Sequence, residues 1–189
     1  MVLETLNRYY DLLFPFDPAK GEKIARLLLA NNAHRVLDAG CAPGSYTLFL
    51  AARGFHVTGI DLNPAFIARA EEKGRGQERA KFMVGDIAAF TLPETFAAIL
   101  CIGNMLPLLP PEKIKTALAN FRKHLQPGGF LVLQTVNFEL FLATGSFPFP
   151  EKKIDEVPLI FRRSYQREGE LIRFRIEVVF PSVFSPITT

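Results

Sequence analysis

Only two cysteines, Cys41 and Cys101, occur in the 189 residues, and neither is flanked by a second cysteine or a histidine at metal-ligand spacing. Neither a disulfide framework nor a zinc site is indicated, and a reducing, cytoplasmic setting is expected. Charge of one sign is scarce as well: 22 basic against 19 acidic side chains leave a net charge of +3, spread along the chain rather than gathered in a block. A nucleic-acid partner gains little support from that balance. Long apolar runs are absent too. No stretch reaches the roughly 18 residues of a membrane span, and Glu4, Asn7, Arg8 and Asp11 interrupt the N-terminus. What is present is a 49% apolar share with 13 glycines and 14 prolines, ample for the core of one compact domain.

From about residue 17 to residue 137 short aliphatic or β-branched runs alternate with longer stretches of helical spacing, the mark of a parallel sheet covered by helices. Strands are predicted at Arg35–Ala39, Phe55–Ile60, Lys81–Val84, Ala98–Ile102 and Phe130–Val136. Each is nearly continuous in apolar residues, as strands buried on both faces should be. Helices are predicted from Pro18, capped by Asp17 and with Ile24, Leu27 and Leu28 on one face; from Ser45 to Arg53; from Pro64, capped by Asn63, to Lys73; and from Pro111 to Leu125. Beyond residue 138 the pattern changes. The segments 147–150 and 151–156 read as a loop, and Val157–Gln166 and Glu170–Phe180 as an antiparallel hairpin turning at Glu168-Gly169. In its second strand Ile172, Phe174, Ile176 and Val178 alternate with Arg173, Arg175 and Glu177, which predicts one dry and one wet face.

The first predicted strand runs into Asp38-Ala39-Gly40-Cys41-Ala42-Pro43-Gly44-Ser45 and then directly into a helix. Small residues at 40, 42 and 44 permit a sharp turn and a close approach of a ligand to the main chain, which suits a nucleotide or an amino-acid carboxylate. Asp61 closes the second strand and Asp86 follows the third. In a parallel sheet these strand ends share one edge, so Asp38, Asp61 and Asp86 are expected around a common crevice, where Asp61 could accept the hydroxyls of a ribose. A lone aspartate at a strand end is often a turn residue; three in succession behind a glycine turn carry more weight.

These segments resemble the class I S-adenosylmethionine-dependent methyltransferases over residues 36–137. Val36–Gly44 is similar to the family's first motif, Gly59–Asn63 to its second, acidic one, and Phe82–Ile87 to its third. Leu125–Leu131, with Pro127-Gly128-Gly129, is similar to the turn before its fifth strand. The resemblance implies a doubly wound, mainly parallel Rossmann-like sheet, S-adenosylmethionine as cofactor, and methyl transfer by in-line displacement to a small-molecule acceptor. It places Gly40, Ala42 and Gly44 against the methionine part of the cofactor, Asp38 near its amino group, Asp61 on the ribose, Leu62 beside the adenine, and Asp86 with the Ile87 amide at the adenine edge. Ala42 stands where the family usually has glycine and is expected to be tolerated only with ordinary backbone dihedrals. Ala97-Ala98 replaces an acid common at the start of strand four, a loss read as structural.

Alignment is the main requirement of such a transfer, and a strong base is optional. His34, His56 and His124 precede or begin strands, at the amino edge of the sheet, and are not expected to be catalytic. Asn104 and Asn137 are candidate substrate contacts, together with Tyr9 and Tyr10 in an N-terminal helical segment that similar family members close over the site. Cys41 reads as a space-filler. The core with its N-terminal lid is expected to end near residue 138, with 139–189 as an extension of the same domain. Either the hairpin replaces the family's last two strands or it is a substrate-side flap on a chain that stops before them; the flap is favoured, with 181–189 as a frayed end. The fifth strand would then expose an edge open to self-association. A cofactor-binding protein without turnover, a nicotinamide dehydrogenase and an RNA methyltransferase remain alternatives at this stage.

Overall fold

The computed structural model describes residues 2–144, 149, 151–154, 157, 159–169 and 171–180. Two compact units result, one running from Phe16 to Val136 and the other formed by the described residues on either side of it. In the larger unit β1 (Arg35–Ala39), β2 (His56–Asp61), β3 (Ala80–Val84), β4 (Phe96–Cys101) and β5 (Leu125–Leu133) form a parallel sheet in the order β3-β2-β1-β4-β5. The chain works outward from β1 in one direction and then in the other. That reversal opens a crevice at the carboxyl ends of β1 and β4, where doubly wound sheets bind ligands.

Alternation along the strands feeds two cores. Val36, Val57, Ala98 and Leu100 pack with Ile24 and Leu28 of α2 (Pro18–Ala30) and Leu50 of α3 (Ser45–Ala51). Leu37, Ala39, Ile60, Ile99 and Cys101 face the other way, toward Ala117 and Phe121 of α5 (Pro111–His124). The caps act as expected: Asp17 accepts the Lys20 amide at 3.1 Å, and Asn63, ahead of α4 (Pro64–Lys73), accepts that of Ala65 at 3.0 Å. Both cysteines are buried free thiols.

Three details differ from expectation. Leu27 is 42% exposed, because the buried stripe of α2 follows Gly21, Ile24, Ala25 and Leu28 and leaves Leu27 beside it. Strand five begins at Leu125, ahead of the Pro-Gly-Gly turn. The register moves from Phe96↔Leu125 to Ala98↔Phe130, so five steps on β5 match two on β4, and the turn is a bulge inside the strand rather than a connector before it. A strand, β6 (Lys152–Ile154), also forms where a loop was expected. Three residues are too short a run for alternation to be visible.

The smaller unit contains α1 (Val2–Leu13), α6 (Phe138–Thr144), and β6, β7 (Leu159–Glu168) and β8 (Leu171–Val179) in an antiparallel sheet of order β6-β7-β8. Leu13, Leu159 and Phe161 are its buried centre, joined by Leu6, Tyr9, Phe14, Ile176 and Val178. The hairpin turns at Gly169, φ +63°, and Arg173, Arg175 and Glu177 are exposed while their neighbours are half-buried, so the predicted dry and wet faces are present. The expectations for residues 145–148, 150, 155–156, 158, 170 and 181–189 lie outside the described residues. No helix of the described residues is long and apolar enough to cross a membrane.

Candidate functional site

At the end of β1 the amides of Gly40 and Cys41 both donate to the Ile60 carbonyl, at 2.8 and 3.0 Å, and Gly44 N–H closes a turn on the Cys41 carbonyl at 3.0 Å. Gly40 and Gly44 have φ near +80°, where a side chain is strained. Their missing Cβ atoms also make room for the protein itself. A Cβ on Gly40 would lie 2.6 Å from Met105 Cγ, and one on Gly44 would lie 2.7 Å from the Phe82 ring. Internal packing is thus a second reason, beside the close approach of a ligand, for Gly40 and Gly44 to stay without a side chain. Ala42 departs from expectation too, since its φ is +51° rather than ordinary. An L-residue in that region costs about 1–2 kcal/mol.

Asp61 fixes this strained turn. Its Oδ2 accepts the Ala42 amide at 2.9 Å and its Oδ1 the Asn63 amide at 2.9 Å. Each carboxylate oxygen has a further lone pair, and no other hydrogen bond reaches them among the described residues. Beside it Leu62 is 68% exposed, an apolar surface next to an acid. Burial raises the Asp61 pKa, against the pull of the two amides.

Asp38 lies beneath the turn, 1% exposed, and accepts the Thr47 hydroxyl at 2.7 Å. Burial pushes its pKa up to about 6, with the Asp61 charge adding to the rise and Thr47 opposing it. Asp86 is held at the neighbouring strand end, where the Gly85 amide donates to the Asp61 carbonyl at 2.9 Å. Its Oδ1 accepts the Ala88 amide at 2.9 Å and its Oδ2 pairs with Lys113 Nζ at 3.0 Å. Those contacts, the amide first, hold its pKa below the usual carboxylate range. The Ile87 side chain is buried in the core. The three acids thus follow successive strand ends, and each also holds local backbone or helix structure.

The other candidates divide between the units. Asn104, with φ +65°, takes the Val136 amide on Oδ1 at 2.9 Å and donates its own amide to the Gln134 carbonyl at 3.1 Å. Gln134 in turn accepts the Gly103 amide on Oε1 at 2.9 Å. Asn104 therefore braces the ends of β4 and β5. Tyr9 packs in the core of the smaller unit, Tyr10 lies 4.9 Å from the Phe14 ring, and Asn137 caps α6 by accepting the Leu140 amide at 3.2 Å. His124 is buried against Asn120 and the Leu92 amide, while His34 and His56 are exposed.

Sequence reading missed Thr47, Met105 and Lys113. Lys113 had a signal: a cation in the first turn of a helix is disfavoured by the dipole unless a partner holds it. Met105 had none, because its contact with Gly40 spans 65 residues of chain. Among the described residues no cluster of three or more His, Cys, Asp or Glu side chains is placed to hold a metal.

A family model described as a methyltransferase domain matches residues 36–129, the span from β1 to the bulge of β5. The chain belongs to the class I S-adenosylmethionine-dependent methyltransferases. It is similar to glycine N-methyltransferase from Rattus norvegicus, 33% identical over 143 residues, which cover 68% of this chain and 48% of the relative. Carboxy-S-adenosyl-L-methionine synthase from Chromohalobacter salexigens is 37% identical over 118 residues, 58% of this chain and 42% of that one. The solved structure of an amino pentose methyltransferase from Micromonospora echinaspora, described as bound to S-adenosylmethionine, matches 95% of this chain and 80% of its own, with a TM-score of 0.70 and 25% identity. The chain spans about half the length of the curated relatives it matches.

Two consequences of this methyltransferase turn are measurable. Ala42→Gly relieves the positive φ but frees the unfolded chain, so a net gain of about 0.5–1 kcal/mol is expected in urea unfolding; a loss contradicts the strained turn. Asp38 binds its proton more tightly folded than unfolded, so its contribution to stability is full below about pH 4, falls as pH rises toward about 6 and is flat above. The lost stability is about 3 kcal/mol. Unfolding of Asp38→Asn and the parent from pH 4 to pH 8 should show the variant gaining on the parent up to about pH 6 and then running parallel. A constant difference throughout excludes the shift.

Proposed function

We propose that the chain binds S-adenosylmethionine at the turn after β1 and transfers its methyl group to a small-molecule acceptor. The carrying observation is Asp61: a carboxylate fixed by two backbone amides, with a lone pair left on each oxygen and an exposed leucine alongside. That arrangement suits a ribose diol with a flat base next to it. Similarity to a glycine N-methyltransferase and to an amino pentose methyltransferase supports a small acceptor. A net charge of only +3, not gathered in a basic block, lends little support to a polyanionic acceptor such as RNA. Two buried free thiols fit a reducing compartment such as the cytoplasm.

When bound, the cofactor supplies an activated methyl group on a sulfonium. The chain's own task is placement. Asp61 would anchor the ribose, and Leu62 would cover the adenine. Asp86, kept ionised by the Ala88 amide and Lys113, would accept the adenine amino group. Asp38 puts a buried carboxyl beneath the turn where a cationic amino group would lie. Asn104 and Gln134 hold the ends of β4 and β5, fixing the backbone that borders the crevice. Alignment of this kind is worth roughly 7–11 kcal/mol in favourable cases, and the reading assigns no side chain as base.

Calorimetric titration with S-adenosylhomocysteine is expected to show binding. Asp61→Asn should weaken it at least about tenfold, since one charge-assisted hydrogen bond is worth about 1.5–3 kcal/mol. Absence of heat with folded protein overturns the reading. Binding without methyl transfer to any of a panel of small amines and acids leaves a cofactor-binding protein instead.

We also infer self-association through β5, whose outer edge has no strand partner among the described residues and carries Leu133, 44% exposed. Sedimentation velocity across a hundredfold concentration range should show a dimer growing in. A monomer throughout refutes it.

A further inference from the structure

The inward face of the smaller sheet carries two cations where its pattern calls for apolar side chains. Lys152 of β6 lies opposite Phe161 of β7, and Arg163 follows Phe161 by two residues, so all three share one face. Ile176 and Val178 of β8 stand opposite Arg163 and Phe161 on that face. It is the face whose apolar members pack with Leu6, Leu13 and Phe14.

The Arg163 guanidinium carbon sits 4.6 Å from the Phe149 ring centroid, 5.5 Å from that of Phe161 and 5.6 Å from that of Phe14. Its Nε is buried and has no hydrogen-bond partner among the described residues. Lys152 Nζ donates to the Leu13 carbonyl at 2.8 Å, which uses one of its three N–H groups. No carboxylate pairs with either cation among the described residues. The acids closest in register, Glu151 and Glu177, bind Arg162 on the opposite face. Burial lowers the pKa of both cations, and the Arg163 charge lowers that of Lys152 further, as expected of positive charge left without a counter-ion.

Two structural explanations fall short. An inward charge on an edge strand discourages unwanted pairing, which accounts for Lys152 on β6. It does not account for Arg163, which lies on the central strand. Contacts with aromatic rings offset part of the burial, but they give the buried Nε–H no acceptor. A planar fork of donors beside an ammonium, walled by apolar rings, matches the shape and charge of a carboxylate.

We propose that Arg163 and Lys152 form a binding site for the carboxylate group of a small molecule, with Phe14 and Phe161 as its apolar wall. The site stands on the smaller unit alone and holds whether or not the cofactor reading does.

The test uses the full chain with no methyl donor. Acetate and benzoate are titrated against acetamide and benzamide, with inorganic phosphate as a further arm, and binding is followed by calorimetry and by the NMR resonances of the arginine Nε–H groups. The carboxylates should bind and shift one arginine resonance, and the amides should not. Arg163→Met should weaken carboxylate binding at least about tenfold and raise the melting temperature of the ligand-free protein, because an uncompensated cation has left an apolar face. A merely structural cation–π role predicts a lower melting temperature. Arg163→Lys, which keeps the charge and loses the planar fork, should fold and bind several-fold more weakly. Arg162→Met should bind as the parent does. Equal affinity for acetate and acetamide, an Arg163→Met protein that binds like the parent, or a preference for phosphate overturns the proposal. Because S-adenosylhomocysteine is titrated separately on the parent, a failure here is distinguishable from a failure of the cofactor reading.

Discussion

The Asp61 carboxylate is the fastening on which the carboxyl edge of the larger sheet depends. One oxygen holds the Ala42 amide and the other the Asn63 amide, so a single side chain ties the turn after β1 to the start of α4. The Asp61 carbonyl meanwhile receives Gly85, drawing in the end of β3. Three strand ends are registered by one residue. The cost is electrostatic, because the same carboxylate lies near the buried Asp38 and raises the energy of ionising it.

The parallel core was legible in the sequence because central strands declare themselves as short apolar runs bounded by turn residues, and Arg35–Ala39 matches its predicted bounds. Asp17-Pro18 and Asn63-Pro64 located two helix starts to the residue. The hairpin was legible through alternation. Contacts between distant segments were not. Nothing near Gly40 announces that Met105 will fill the space of its absent side chain, and nothing near Gly44 announces Phe82. A glycine motif says that small residues are needed; it does not say whether a ligand or the protein's own packing needs them. The bulge of β5 was hidden for a related reason, since Pro-Gly-Gly serves equally as a connector or as an irregularity within a strand.

Charge placement separates the two units. In the larger one the unusual groups are acids at strand ends, Asp38 and Asp61, partly or wholly withdrawn from water. In the smaller one they are cations on a sheet face, Lys152 and Arg163. At Lys152 and Arg163 an apolar substitute of similar volume would relieve the burial of charge, whereas at Asp38 and Asp61 it would also release the Thr47 hydroxyl and the Ala42 and Asn63 amides. The ligand groups proposed for the two units carry the opposite charge in each case, a cationic amino group for the acids and a carboxylate for the cations.

Backbone strain is distributed in the same uneven way. Among the described residues three non-glycine positions have positive φ: Asn32, Ala42 and Asn104. Asn32 follows the C-cap of α2, where the Ala33 amide returns to the Leu28 carbonyl, and asparagine is at home in that helix-ending conformation. Asn104 is also a residue that tolerates it, and its side chain is anchored on Val136. Ala42 has no such excuse: a methyl side chain gains nothing from the left-handed region, and glycine would adopt it freely. Strain of this size persists only where the surroundings over-determine the conformation, and here the Asp61 carboxylate does so through the Ala42 amide itself. The strained alanine and a carboxylate held by two amides are therefore two ends of one hydrogen bond, and the geometry of the turn is set by that bond rather than by the local preference of its residues.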